Sequence, residues 1–359
     1  MSTTAPRPVT LKTVAQHVGL SPATVSLVLN ESPVADSIPL ETKERVIAAA
    51  RELDYRPNYL ARSLRSQRSF SVGVLVPEIS EGYAAGVMGG IEEHLLQEGY
   101  FYLVGSHRFK SDLLDEYLQL LRDRLVEGYV LVNTPIERSP GLPAVAVSGR
   151  RSIEGVTNVV IDHDCAARLA LQHLAELGHE RIAFFKGHPG SLDTEDRWQA
   201  IERAAEALSI TIRPELTLQL SSKLDELAFT PEDGYQEGYV YGQRLLATGE
   251  ELTTLFAFND VSAIGAMRAF LDAGLRIPED VSVVGFDDIQ SAAFQNPSLT
   301  TVRQPLREMG TIAARLLLDR LSGGTCPETV MVAPELVVRG STGPSPAGQR
   351  ARPKRRVAR

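Results

Sequence analysis

Two rhythms of apolar residues divide this chain. Over the first 68 residues, LKTVAQHV and TKERVIAAARELDY repeat their apolar side chains at helical spacing, and no strand-like alternation interrupts them. From Ser71 the pattern changes. The short apolar runs VGVLVP, FYLVGS, YVLVNT, AVAVSG, NVVID, RIAFF, LFAFND and VSVVGFDD alternate with amphipathic stretches such as GGIEEHLLQEG, ARLALQHLAELG and SAIGAMRAFLDAG. That alternation predicts parallel sheets covered by helices on both faces. About nine strands over roughly 270 residues exceed one sheet of usual size, so two similar α/β subdomains are expected.

At the head, Thr10 is placed to cap a first helix whose Leu11, Val14, Ala15 and Val18 share a face, and Gly19 ends it. Ser21 is a good N-cap and Pro22 a good first-turn residue for a second helix that turns Val25, Val28 and Leu29 inward. Pro22, Ala23, Thr24, Ser26 and Leu27 are then left for the open part of that helix. Two helices in this relation form a helix-turn-helix, in which the second places its N-terminal side chains on base edges of duplex DNA.

Charge supports a divided molecule. The net charge is -8, but residues 1 to 68 carry nine Lys/Arg against six Asp/Glu, and residues 341 to 359 carry six Lys/Arg and no acid. The part between therefore holds -17. A basic head suits phosphate, and an acidic body does not. The opening residues have no secretory pattern and no stretch approaches a membrane span, so a cytoplasmic, nucleoid-associated protein without membrane contact is expected. Cys165 and Cys326 stand far apart and outside any ligand spacing, so no metal and no cofactor are expected. No GxSxG, P-loop or HExxH constellation marks a catalytic site, and an enzyme is not expected.

The segments VTLKTVAQHVGLSPATVSLVLN and ETKERVIAAARELDYRPNYLARSLR resemble the head of the LacI/GalR family of bacterial transcription regulators. The stretches HLAELGHERIAFFKG, FAFNDVSAIGAMRAFLDAGLRIPEDVSVVGFDDI and PSLTTVRQP carry the likeness through the body. The resemblance implies an all-α helix-turn-helix head joined to two doubly wound parallel-sheet subdomains of the type I periplasmic-binding-protein kind. Its domains would be a DNA-binding head at 1–56, a hinge helix and linker at 57–69, an effector-binding and dimerisation body at 70–340, and a disordered basic tail at 341–359. DNA contacts would come from Thr10, Leu11, Ser21, Pro22, Ala23, Thr24, Ser26, Leu27 and Asn30. Leu27 stands where many relatives carry Arg or His, which implies an apolar contact there. The interval between Asn30 and Thr42 is a few residues longer than in the family's type member.

In the hinge, Asn58, Ala61, Arg62 and Leu64 would meet the minor groove, with Leu64 wedged between base pairs. A segment that short is a marginal helix alone and is expected to order only when held. In the body the resemblance assigns effector contacts to Arg197, Asn259 and Asp287 and an aromatic cover to Phe229, with Tyr83 and Phe294 fitting less closely. Asp162 and Asp164 fall on a loop lining the same cleft, and the sequence does not choose between them. Asp260 and Asp288 read better as strand-end or helix-start residues. The expected partners are double-stranded DNA with a pseudo-palindromic operator, a small-molecule effector, of sugar type as is commonest in the family or of the purine type that the same fold also takes, and a second copy of the chain in a homodimer. Release by ligand and a requirement for ligand are both open. The ending RARPKRRVAR has no apolar heptads and suits a nonspecific phosphate contact.

Overall fold

The computed structural model describes residues 9–30, 33–55, 68–79, 82–149, 152–220 and 234–346. They fall into two compact units divided between Ser69 and Phe70. The expected contacts Asn58, Ala61, Arg62, Leu64 and Phe229, and the basic ending, lie outside the described residues.

In the first unit the helix signals act locally. Helix α1 (Leu11–Val18) is capped by Thr10, and Gly19 ends it at φ 71, a left-handed conformation that costs glycine little. Helix α2 (Pro22–Leu29) starts from Ser21, and α3 (Leu40–Glu52) follows a short 3-10 turn at Pro33–Ser37. Val14, Ala15, Val18, Val25, Val28, Val46, Ala49 and Ala50 form one core, and Arg45 Nη2 donates to the Val18 carbonyl at 3.0 Å.

The second unit contains two six-stranded sheets. The first subdomain has β1 (Ser71–Val76), β2 (Phe101–Ser106), β3 (Gly128–Val132), β4 (Ala144–Val147), β5 (Val156–Ile161) and β11 (Thr329–Val332) in the order β11-β5-β4-β3-β1-β2. All its pairings are parallel, and β1, β3 and β4 are buried throughout. Helices α4 (Tyr83–Gln97), α5 (Ser111–Asp123) and α11 (Leu306–Leu321) belong to it. Helices α4 and α11 touch through their backbones, since a Cβ on Gly90 would overlap the Arg307 carbonyl oxygen and one on Gly310 that of Val87.

The second subdomain has β6 (Ile182–Lys186), β7 (Thr217–Gln219), β8 (Thr254–Phe256), β9 (Ser282–Asp287), β10 (Thr300–Arg303) and β12 (Glu335–Val337) in the order β12-β10-β9-β8-β6-β7. Only β12 runs antiparallel, against β10. Its helices are α6 (His163–Glu176), α7 (Asp193–Ala207), α8 (Gly234–Ala247), α9 (Asp260–Asp272) and α10 (Gln290–Ala293). The chain passes between subdomains three times, at Asp162, at Gln304–Pro305 and at Ala333–Pro334. No helix among the described residues is long and apolar enough to cross a membrane.

One expected boundary moves. The body continues past Gly340: Ser341 is fully buried, donates to the Val283 carbonyl at 2.6 Å and accepts from the Thr300 N–H at 2.8 Å. Ser345 N–H in turn donates to the Leu177 carbonyl at 2.8 Å. The Ser/Gly/Pro composition that reads as a disordered tail supplies, over residues 341–346, small hydroxyls that satisfy strand-end backbone groups.

Candidate functional site

The head presents two helix starts, each finished by a hydroxyl. Thr10 Oγ1 accepts from the Thr13 N–H and Ser21 Oγ from the Thr24 N–H, at 3.2 and 3.1 Å. Ser21, Pro22, Ala23 and Asn30 are exposed, Thr10 likewise, and Leu11, Thr24 and Leu27 are half-buried, so these positions remain open to a partner. Ser26 is the exception. It is 6 % exposed and lies on the buried face of α2 beside Val25, with Asn30 Nδ2 donating to its carbonyl at 2.7 Å and standing 3.1 Å from its Oγ. Ser26, one of the expected DNA contacts, is thus turned inward and tied to the end of its own helix.

In the body, charged groups gather beyond the carboxyl ends of β6, β8 and β9, where open α/β sheets collect ligands. Arg197 rises from α7 and is 3 % exposed. Its Nη1 donates to the Phe258 carbonyl at 2.5 Å, its Nη2 lies 3.7 Å from Asp193 Oδ2, and its guanidinium is 3.6 Å above the Phe286 ring and 4.3 Å from that of Phe258. Its Nε is buried and has no hydrogen-bond partner among the described residues. A guanidinium boxed in this way has been desolvated for a purpose other than surface solubility.

Around it stand Asp193, Asp287 and Tyr83, each of which interacts electrostatically with it. Burial raises the Asp287 carboxyl to about 7 even though Arg197 and the Gln304 amide, donating at 2.6 Å, pull it down. Burial also pushes Asp193 upward, but His163, with Nε2 at 3.3 Å, and the Arg197 charge bring that carboxyl below its ordinary value. Burial pushes the Tyr83 phenol well up, and its hydroxyl lies 2.6 Å from Ser148 Oγ. Ser148 at φ 59 and Asp287 at φ 113 hold left-handed backbone conformations that few side chains adopt, a feature of sites where orientation matters more than ease of folding.

Of the expected effector contacts, Tyr83, Arg197 and Asp287 are thus brought into one cluster. Asn259 stands at its edge as the N-cap of α9, accepting from the Ser262 N–H at 2.9 Å. Phe294 is 78 % exposed and is not among the side chains that interact with Arg197. Asp162 caps α6 through the Cys165 N–H, and Asp164 pairs with Arg203 at 2.7 Å on the surface. The residue between them, His163, faces the cluster, with its Nδ1 buried and without a partner among the described residues. Asp260 and Asp288 are framework: Asp260 accepts from the Thr301 hydroxyl and the Ile289 N–H, and Asp288 pairs with Arg303 and Arg339. Asp193, His163 and Ser148 were not singled out in the sequence. Only Asp193 left a signal, one helical turn before Arg197 in LDTEDR.

Comparison with known proteins places both units. Residues 10–58 match the bacterial regulatory proteins of the lacI family, and residues 171–342 match the periplasmic binding protein-like domain. The HTH-type transcriptional repressor PurR of Haemophilus influenzae is 32 % identical over 345 residues, covering 92 % of this chain and 98 % of that one. The lac repressor dimer bound to operator and the anti-inducer ONPF is similar with a TM-score of 0.81 and 26 % identity, over 94 % of this chain and all of that one. The transcriptional regulator CelR in complex with cellobiose gives a TM-score of 0.65 and 29 % identity, over 93 % of this chain and all of that one.

Proposed function

The chain belongs to the lacI family of bacterial regulatory proteins, and from that premise we propose that it is a cytoplasmic repressor whose hold on a pseudo-palindromic operator is set by a sugar bound between the subdomains of its body. Its relatives are transcription regulators and not enzymes. The reading is carried by Arg197, buried against two carboxylates with an N–H that no described residue engages. Guanidinium, carboxylate, amide and phenol groups fixed in one place are the chemistry that grips adjacent hydroxyls of a polyol. Tyr83, Asn259 and Asp287, with Asp193 and His163 added, complete the polar lining; the aromatic cover that the family resemblance assigns to Phe229 lies outside the described residues.

On the DNA side, Thr10 and Ser21 bring helix starts to phosphates, while Pro22, Ala23, Thr24, Leu27 and Asn30 meet the major groove alongside Leu11. Two copies of the chain act together, as in the lac repressor dimer on its operator. Ligand favours one arrangement of the subdomains and thereby changes the fit of the paired hinges, with Asn58, Ala61, Arg62 and Leu64, to the minor groove.

The test is a thermal-shift screen of the full chain against neutral sugars, cellobiose among them, and nucleobases, followed by operator-release titrations with any ligand that stabilises it. Arg197→Ala should lose the ligand response and keep operator affinity within about threefold. Full ligand response in that variant overturns the site. Stabilisation by a nucleobase and by no sugar overturns the sugar assignment.

A further inference from the structure

One side chain ties the two subdomains together beside the charge cluster. Asn133 directly follows β3 of the first subdomain and is 9 % exposed. Its Nδ2 donates to Ser191 Oγ at 3.1 Å, and its Oδ1 accepts from the Leu192 N–H at 2.9 Å. Both partners belong to the second subdomain. Leu192 is the N-cap residue of α7, and its aliphatic side chain makes no capping bond. Asn133 therefore provides, from across the cleft, the bond to the N-cap N–H that a capping box provides from within its own helix. Helix α7 is the element that carries Asp193 and Arg197.

The surroundings hold this contact in register. Asn133 sits at φ 43, a left-handed conformation that Asn and Asp tolerate better than other side chains. Its neighbour Thr134 lies 3.1 Å from His107 Nε2, and His107 Nδ1 accepts from the Phe109 N–H at 3.1 Å. Phe109, also of the first subdomain, stacks on His188 of the second, with centroids 5.5 Å apart and planes at 17°. The turn that delivers Ser191 is closed by its own N–H donating to the His188 carbonyl at 2.9 Å.

We propose that Asn133 is a positioning residue of the effector site, a latch that holds the cleft closed and at the same time caps the helix bearing Asp193 and Arg197. Closure of the subdomains and readiness of the site are then one event, and separation of the subdomains uncaps α7. This rests on the reading of the Arg197 cluster as the effector site. The latch sets how often the unliganded protein is closed, and so how much of a ligand's binding energy goes into closing it.

The test uses the unliganded full chain, with Cys165 and Cys326 replaced by Ser and dyes placed at exposed Glu116 and Ala247, one in each subdomain. Asn133→Gly keeps the left-handed backbone and removes both hydrogen bonds; Asn133→Asp keeps an acceptor for the Leu192 N–H and for the Ser191 hydroxyl. The closed-to-open ratio read by energy transfer should fall about tenfold in the Gly variant, the worth of two modest hydrogen bonds, and return in the Asp variant. Amide exchange at Leu192 should quicken by a similar factor. Ser191→Ala, which removes one bond, should move both readouts about threefold and serves if the Gly variant folds poorly. Unchanged distances and exchange in Ser191→Ala and Asn133→Gly overturn the latch. No ligand or DNA enters this measurement, so it can fail while the Arg197 test succeeds, and the reverse.

Discussion

Replacing Asp287 by Asn removes a proton that burial forces this site to hold. The carboxyl is 4 % exposed, accepts from Gln304 Nε2 at 2.6 Å and is raised to about 7 by burial. An acid raised in the folded state binds its proton more tightly there than in the unfolded chain. Its contribution to stability is fully present below pH 3.8, the ordinary carboxylate value, and is lost as pH rises through about 7. Each tenfold in proton affinity is worth about 1.4 kcal/mol, so three such steps amount to about 4 kcal/mol by pH 8. Asparagine keeps the Oδ1 acceptor for Gln304 and never ionises. In melting curves of wild type and Asp287→Asn from pH 4.5 to 8.5, the variant should therefore gain on the wild type as pH rises and level off above about pH 7. A body of this size moves roughly 2 °C per kcal/mol, so the gap should open by several degrees. His107, which burial lowers to about 4, has the opposite sign: its contribution is present above its ordinary 6.5 and is lost as pH falls. It is common to both proteins and drops out of the difference. A gap that is constant with pH, or that widens toward acid, refutes the assignment of the proton to Asp287.

Two further outcomes follow from local geometry. Ser21→Ala deletes the α2 cap and should destabilise the head by about 1 kcal/mol, read as faster amide exchange at Thr24, with Ser21→Asn restoring protection. The neighbouring glycines of α4 should respond with opposite signs: Gly90→Ala forces a methyl into the Arg307 carbonyl and should cost about 3 kcal/mol, visible as a lower melting temperature. Gly89→Ala meets only the flexible end of the Arg307 side chain at 3.2 Å and should be neutral or stabilising by about 0.5 kcal/mol, because alanine favours the helix.

The head was legible because its signals are local. Thr10, Gly19, Ser21 and Pro22 act on residues within one turn of themselves, and the helix period needs no knowledge of the rest of the chain. The inward turn of Ser26 was not legible, because it goes with Asn30, a partner whose direction the period does not give. The eight apolar runs became strands, whereas β7, β10, β11 and β12 did not stand out. They have three or four residues each, too few for a period to show: Thr217–Gln219 is added at the sheet edge beside β6, and Thr300–Arg303 is fixed between β9 and β12, both distant in sequence from it. At the site, Arg197, Tyr83 and Asp287 lie at strand ends and helix starts where the topology predicts ligands. Asp193 and His163 become functional candidates only because α7 and α6 are packed together, a contact between distant segments.

The cluster is completed by neither subdomain alone, and the way it is divided indicates how the cleft can move. Asp287 is held by Gln304, which lies in a crossover, and the chain continues at once into α11. Helix α11 meets α4 backbone to backbone at Gly310 and Gly90, and α4 begins with Tyr83, which binds Ser148. The carboxylate and phenol sides are thus joined through covalent chain and close helix contact, which yield little without steric cost. On the opposite side, Asn133 and the Phe109–His188 stack add two hydrogen bonds and one ring contact between the subdomains, which separate at the scale of ordinary conformational equilibria. Opening should therefore be a rocking about the crossovers that breaks the Asn133 contact first. A ligand that bridges Arg197 and Tyr83 acts on the equilibrium only to the extent that it binds the closed arrangement more tightly than the open one.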